Sequence, residues 1–524
     1  MSELEGDTWL TGRELRDLTR KASESHGGGS IGELVGEAYT VVFSLMISGA
    51  VALGTMEMLN TTLRPSSVQA TLDPSWLALL LAIVALGAAT SLAGRLGPLG
   101  VGGGQAAWWL PTPADRRGLL RPRLTVVAAV ALAVGIAVGA LVGALAGEAG
   151  IGVGFAAGVG GAAGLLVVLA VARAQVAGLG RSSHPAVAVG EGLVVTAPLI
   201  ALVVVLLRPD AIAPPSAAVL AVALVVLLLV ALGLLLDTRR RLDSISGAEL
   251  RERGAITAYA AGAVTSLDTR ELGRALSITS QPDTRRRSIG FGWVRGPVSA
   301  LVTGDALVTL RARRQVIAVV VWAVVPVVVT LAGWPSWATL FAVIGSGYGA
   351  ALATAEGARR AEMAPVLDRA FPLEASQVRR VRLVWPGAVM VAWTGATVGL
   401  WAGLSGLGVA QWLSLAIVAG PVFAAGAVRG AYRKPADWSK PLVANPMGPP
   451  IPPGVVGAIA KGPDIVVICL IPLILGMVAV ASPATLLFWQ VAATLIAIAV
   501  AGHVPDPKGA FAQAMAGSRQ DARS

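Results

Sequence analysis

Two short polar segments hold the residues of this chain best suited to contacting a partner. Leu110–Leu124 reads LPTPADRRGLLRPRL, and Phe371–Trp385 reads FPLEASQVRRVRLVW. Each joins a proline, an acid and several arginines, a set suited to pairing with acidic groups rather than to breaking bonds. Pro111, Ala114 and Arg121 stand opposite Pro372, Ala375 and Arg382 at one constant offset. A proline fixes the backbone and starts a helix, and Asp115 or Ser376 can serve near its N-terminus. The simpler alternative is that proline and arginine end one apolar span and anchor the next.

Other chemistry is sparse. The chain holds no Gly-x-x-x-x-Gly-Lys-Ser/Thr, and its glycine-dense stretches, Gly100 to Gly104 and Gly150 to Gly164, lack the lysine of a phosphate loop. Cys469 is the one cysteine, and His26, His184 and His503 are far apart in sequence, so neither a disulfide framework nor a zinc spacing arises. No catalytic residue, cofactor or metal is expected, which disfavours a membrane-embedded lipid enzyme.

The elements that position the two segments are apolar. Hydrophobic residues make up 55% of the chain, charged residues 14%, and the mean hydropathy is +0.73. Runs of about 20 apolar residues at this density predict an all-α polytopic membrane protein. Twelve spans are expected. The first six lie at about 38–60, 75–94, 124–147, 151–172, 192–207 and 216–236; the fifth is short and open to a partly re-entrant reading. The second six lie at about 316–333, 338–354, 384–405, 409–428, 463–480 and 484–502. If both termini are cytoplasmic, the outward loops hold Arg64 and Arg208 alone among the 41 Lys and Arg residues. The formal net charge of +11 then follows from orientation and from anionic lipid, and nucleic acid is not an expected partner. Glu3, Glu5 and Asp7 open the chain where a signal peptide would be basic, so none is expected.

This count divides the chain into five parts: 1–37, an amphipathic elbow region; 38–236, a first six-span half; 237–315, a basic linker; 316–502, a second six-span half; and 503–524, a tail. Within the linker, Ile256, Tyr259, Val264, Leu267 and Leu272 have the spacing of short amphipathic helices at the membrane surface. Leu10 to Arg20 and Gly296 to Arg311 each read as an elbow helix lying before its half, or as an ordinary basic flank. The halves echo again at Glu191 with Pro198 and at Asp464 with Pro472. In each, an acid starts a span that carries a proline in its middle. Parallel six-span repeats are a known way to build a translocation pathway.

Taken with the elbow helices, the Leu110-Pro111 and Phe371-Pro372 segments resemble the coupling segments of type-2 (exporter) ABC transporter permeases, here with two halves fused in one chain. In that family the segment between the second and third spans docks into the ATPase subunit. The first copy matches well; in the second, the arginine pair comes two residues later. The resemblance is closest to the Ala/Gly/Val/Arg-rich fused permeases of high-GC bacteria. It implies a multi-pass protein of the cytoplasmic (inner) membrane, a separately encoded ABC ATPase partner, and a hydrophobic or amphipathic substrate. It makes Pro111, Asp115, Arg116, Arg117, Pro372, Glu374, Arg379 and Arg380 the candidate coupling residues. The alternative is an ATP-independent secondary carrier or a membrane scaffold. Few ionisable residues lie within the spans, Glu57 being one, which counts against an ion-coupled carrier. Thr40, Ser44, Ser48, Thr394, Thr397 and Gln411 are candidates for a modestly polar route. Trp108, Trp109, Trp334, Trp337, Trp401 and Trp412 have the placement of an interfacial belt.

Overall fold

Apolar helices joined by short polar turns make up nearly all of the described chain. The computed structural model describes residues 11–25, 72–112, 114–179, 185–213, 215–265, 290–433, 461–478 and 482–504. Every α or 3-10 element among them is helical, none is a strand, and ten helices are long and apolar enough to cross a membrane. The protein is therefore all-α and multi-pass. Two compact units divide the described residues, 11–265 and 290–504.

Unit 1 holds α1 (Gly12–Ser25), α2 (Pro74–Leu96), α3 (Gly103–Trp109), α4 (Arg116–Leu145), α5 (Ile151–Val176), α6 (Pro185–Leu207), α7 (Ala217–Arg240) and α8 (Gly247–Thr265). Helix α4 forms a hairpin with α5, α5 packs on α7, and α2 packs on α6. The α4–α5 approach depends on small residues. A Cβ built on Gly139 would lie 2.9 Å from Gly160 Cα, so the two backbones nearly touch. Side chains close the unit at both ends. At one, Trp76 Nε1 donates to Asp210 O at 3.1 Å. At the other, the amide of fully buried Gln175 bonds both Leu99 N (3.2 Å) and Leu99 O (2.7 Å). Most described arginines of the unit stand at this second end; Arg208 stands at the first.

Unit 2 holds α9 (Pro297–Arg311), α10 (Arg313–Leu331), α11 (Ser336–Thr354), α12 (Glu356–Met363), α13 (Pro365–Arg369), α14 (Ala375–Val381), α15 (Val384–Leu404), α16 (Val409–Ala431), α17 (Pro463–Cys469), α18 (Ile471–Val478) and α19 (Pro483–Gly502). Helix α15 pairs with α16, α16 with α19, and α10 with α11. Phe423, Met390, Leu415 and Leu473 are fully buried at the centre.

Several expectations shift. The expected span at 38–60 lies outside the described residues. The fifth span is not short: α6 runs 23 residues straight through Pro198. Helix α4 starts at Arg116, so the Arg121-Pro122-Arg123 run is already helical. The span expected at 463–480 is broken at Leu470, just before Pro472, which has no N–H to return to Ile468 O. Gln490 of α19 fills the gap: its Nε2 donates to Cys469 O at 3.0 Å, and its Oε1 accepts from Leu473 N at 3.2 Å. In the linker, α8 does form, but Leu250, Ile256 and Ala260 are buried by the protein, while Tyr259 is open. Its apolar side meets the loop after α2, an arrangement that tertiary packing decides and helical spacing does not. Val264 has no described side chain, and Leu267 and Leu272 lie outside the described residues.

Two further readings are corrected. Trp109, Trp401 and Trp412 are buried rather than interfacial, the last two meeting edge-to-face at 4.8 Å between ring centres. Thr394 and Thr397 face no route. Thr394 Oγ1 donates to Met390 O (2.7 Å) and Ala416 O (2.8 Å), and Thr397 Oγ1 donates to Trp393 O (2.9 Å). Gln411 is exposed, and Thr40, Ser44, Ser48 and Glu57 lie outside the described residues.

Candidate functional site

The first arginine segment is built on a backbone crossing. After α2, residues 97–102 run against the start of α8, where Val101 N donates to Leu250 O at 2.8 Å. A Cβ on Gly254 would overlap the Val101 carbonyl, and one on Gly100 would lie 2.6 Å from Gly254 N. Only glycine permits that contact. Arg253 Nη1 adds a bond to Arg95 O at 3.0 Å, at the end of α2. Helix α3 then carries Trp109, whose Nε1 donates to Thr19 Oγ1 of α1 at 2.9 Å.

Asp115 caps α4 by accepting from Arg117 N and Gly118 N, both at 3.0 Å. Pro111, Asp115, Arg117 and Arg121 are exposed. Two of the predicted residues are held within the unit. Arg116 Nη1 donates to Ile245 O at 2.9 Å, and Arg117 pairs with Asp243. Both partners lie just past α7, so the segment is tied to the start of the linker. Arg16 of α1 donates to Gly118 O at 3.1 Å. Arg123 reaches Gly100 O and Gln105, with its guanidinium 5.5 Å from the centre of the Trp109 ring.

The second segment is built on buried charge. Helix α14 opens with a capping box in which Glu374 N donates to Gln377 Oε1 at 3.1 Å. Pro372, Glu374 and Arg380 are exposed. Arg379 Nη1 donates to His503 O at 2.9 Å and stands 4.5 Å over the Tyr432 ring. Arg380 lies against Gly502, where a Cβ would come within 2.7 Å of its Cγ. Below them Arg382 is buried and holds two carboxylates: Asp305 of α9 at 2.6 Å and Asp368 of α13 at 2.5 Å. Tyr432 Oη donates to Asp368 Oδ2 at 3.1 Å. Burial pushes the Asp305 carboxyl up to about 6 from its ordinary 3.8, against the pull of Arg382. Burial also pushes the Tyr432 hydroxyl well up.

All eight predicted residues thus lie in or beside a turn that enters a long apolar helix. Arg116, Arg117 and Arg379 bond within their own unit. Sequence reasoning missed Gln175, Arg253 and Gly254 in unit 1 and the Asp305–Arg382–Asp368 cluster in unit 2. A lone acid in the α9 sequence was the one signal for Asp305. The matched acids also find partners: Glu191 pairs with Arg95, and Asp464 with Arg429 at 3.2 Å. Asp464 also accepts from Gly462 N at 2.8 Å.

A family described as a family of unknown function, DUF6297, matches residues 67–441. No curated protein and no solved structure matches the chain.

Proposed function

The chain belongs to DUF6297, and from that premise we propose that it is the permease of an ABC-type exporter. It moves an apolar or amphipathic substrate across the cytoplasmic membrane, driven by a separately encoded ATPase. One observation carries this reading. In each unit a helix from earlier in the chain clasps the entry to the helix that follows the arginine segment, through Arg16 on Gly118 O in unit 1 and Asp305 on Arg382 in unit 2. A turn clamped in this way is a rigid lever. Pro111, Asp115 and Arg117, and likewise Pro372, Glu374 and Arg380, leave exposed tips on it for a partner's acidic and polar groups. Push on the tip, and the long helix behind it moves.

The finer architecture is part of the same proposal: twelve spans in two six-span repeats, with both termini cytoplasmic. Recurring packing supports it. The helix entered from the arginine segment pairs with the next helix (α4 with α5, α15 with α16), and that next helix pairs with the last of its half (α5 with α7, α16 with α19).

Affinity purification of the full chain from its native membrane should bring down an ABC ATPase. Neutralising Arg117 and Arg380 together should strip that partner while the permease stays folded; retention at the wild-type level removes the coupling role. A second reading, an ATP-independent carrier, rests on the Arg95–Glu191 and Arg429–Asp464 pairs, which join neighbouring helices, Asp464 in the first turn of α17 and Glu191 further along α6. Vesicle transport that needs an ion gradient and no ATPase would favour it.

A further inference from the structure

A cavity of about 570 Å³ opens at the arginine-bearing end of unit 1, walled by the start of α4, the end of α5 and the turn that follows α7. Arg117 sits in the first turn of α4, Arg173 in the last turn of α5, and Arg241 just past α7. Val176 and Ala177 give it an apolar edge. Two aspartates hold the three guanidiniums: Asp243 takes Arg117, and Asp237 takes both Arg173 and Arg241. Positive charge is therefore in excess at this spot, and Arg239 and Arg240 lie in the adjoining turn of α7.

The geometry of the pairing matters more than the charge. All three ion pairs close through Nε, with Arg241 to Asp237 at 2.8 Å. Each guanidinium carries five N–H donors, and the paired Nη groups form the fork that fits phosphate oxygens. The aspartates thus fix three arginines in place while leaving those forks to a further ligand. Basic pockets where apolar helices end are where anionic headgroups meet a membrane protein.

We propose that this cavity binds a phosphate group, presented by an anionic phospholipid whose acyl chains lie along the exposed apolar faces of α4 and α7 (Val126, Val130, Leu229, Leu236). The inference shares Arg117 with the exporter reading, but a carrier or scaffold would hold the lipid equally well, and its test uses Arg173 and Arg241, which the coupling reading does not.

Native mass spectrometry of the purified full chain tests it, with phosphatidylglycerol, phosphatidylcholine and inorganic phosphate as separate probes. Phosphatidylglycerol should bind far more tightly than phosphatidylcholine. The double variant R173Q/R241Q should weaken that binding about thirtyfold, at about one lost unit of surface charge attraction per arginine. The single variant Arg241→Gln touches only an exposed side chain and should weaken it about fivefold with the fold intact. Equal phosphatidylglycerol binding by wild type and Arg241→Gln overturns the site. Saturation by inorganic phosphate with no preference between the two lipids overturns the lipid source.

Discussion

At the entry to α4 the turn is held by backbone crossing backbone, whereas at the entry to α15 it is held by a buried arginine between two acids. In unit 1, Gly254 lies on the Val101 carbonyl and Arg123 spans to Gly100 and Gln105. In unit 2, Arg382 ties Asp305 of α9 to Asp368 of a short helix. One motif in sequence is therefore fastened in two ways. The first fastening is a close fit of backbones, with Arg253 bonded to Arg95 O beside it, and it yields chiefly to a change in shape. The second responds to charge and to pH.

The contrast is broken most strongly at Arg382. Arg382→Met leaves two carboxylates without their cation and should cost about 3–5 kcal/mol, read as a large fall in melting temperature of the detergent-solubilised chain. The matched Arg121→Met alters an exposed side chain and should stay within about 0.5 kcal/mol. Equal effects at the two positions would mean that the fastenings do not differ. Next in size is Gly254→Val. It forces α8 off the Val101 loop at about 1–3 kcal/mol, and faster proteolysis within residues 97–102 should report it. Gly304→Ala on α9 has open space and should stabilise by about 0.5–1 kcal/mol, since alanine is the better helix former.

A further test concerns the broken helix. Gln490→Leu strips Cys469 O and Leu473 N of their partners and should cost about 1–3 kcal/mol, accompanied by faster amide exchange at Leu473. Unit 2 also responds to pH. The folded carboxyl of Asp305 titrates at about 6 against its ordinary 3.8, so its contribution to stability is fully present below pH 3.8 and is lost as pH rises through about 6. Arg382 beside it keeps the ionised form tolerable, while the nearby Asp368 carboxylate works against it. Asp305→Asn should flatten that slope in a pH series of melting curves. A slope unchanged by the substitution would assign the response elsewhere.

Hydropathy placed ten described spans to within a few residues at most ends, because twenty-residue apolar runs have no other stable home. The α-class, the helices α1 and α9 and the two arginine turns were legible for the same local reasons. Partners across the fold were not. Nothing near Gln175 or Gln490 in sequence marks them as plugs for an interrupted backbone, and Gly254 is one glycine among 63. Pro198 and Pro472 are alike in context, yet α6 runs through the first while the chain breaks before the second. Gln490 makes that break stable from another helix. The tryptophans show the same limit: Trp401 and Trp412 find each other inside the protein, which position near a span end does not reveal.

The central claim is that both arginine turns touch an ATPase, and site-directed crosslinking measures that contact. In a Cys469→Ser background, single cysteines at Ala114, Ala375 and Gly147 of the full chain would be crosslinked in native membranes; Gly147 lies in the turn between α4 and α5, at the far end of α4 from Ala114. Crosslinks from Ala114 and Ala375 to one ABC ATPase, with none from Gly147, are the predicted result. Labelling at all three positions with no ATPase captured from either turn would contradict the account.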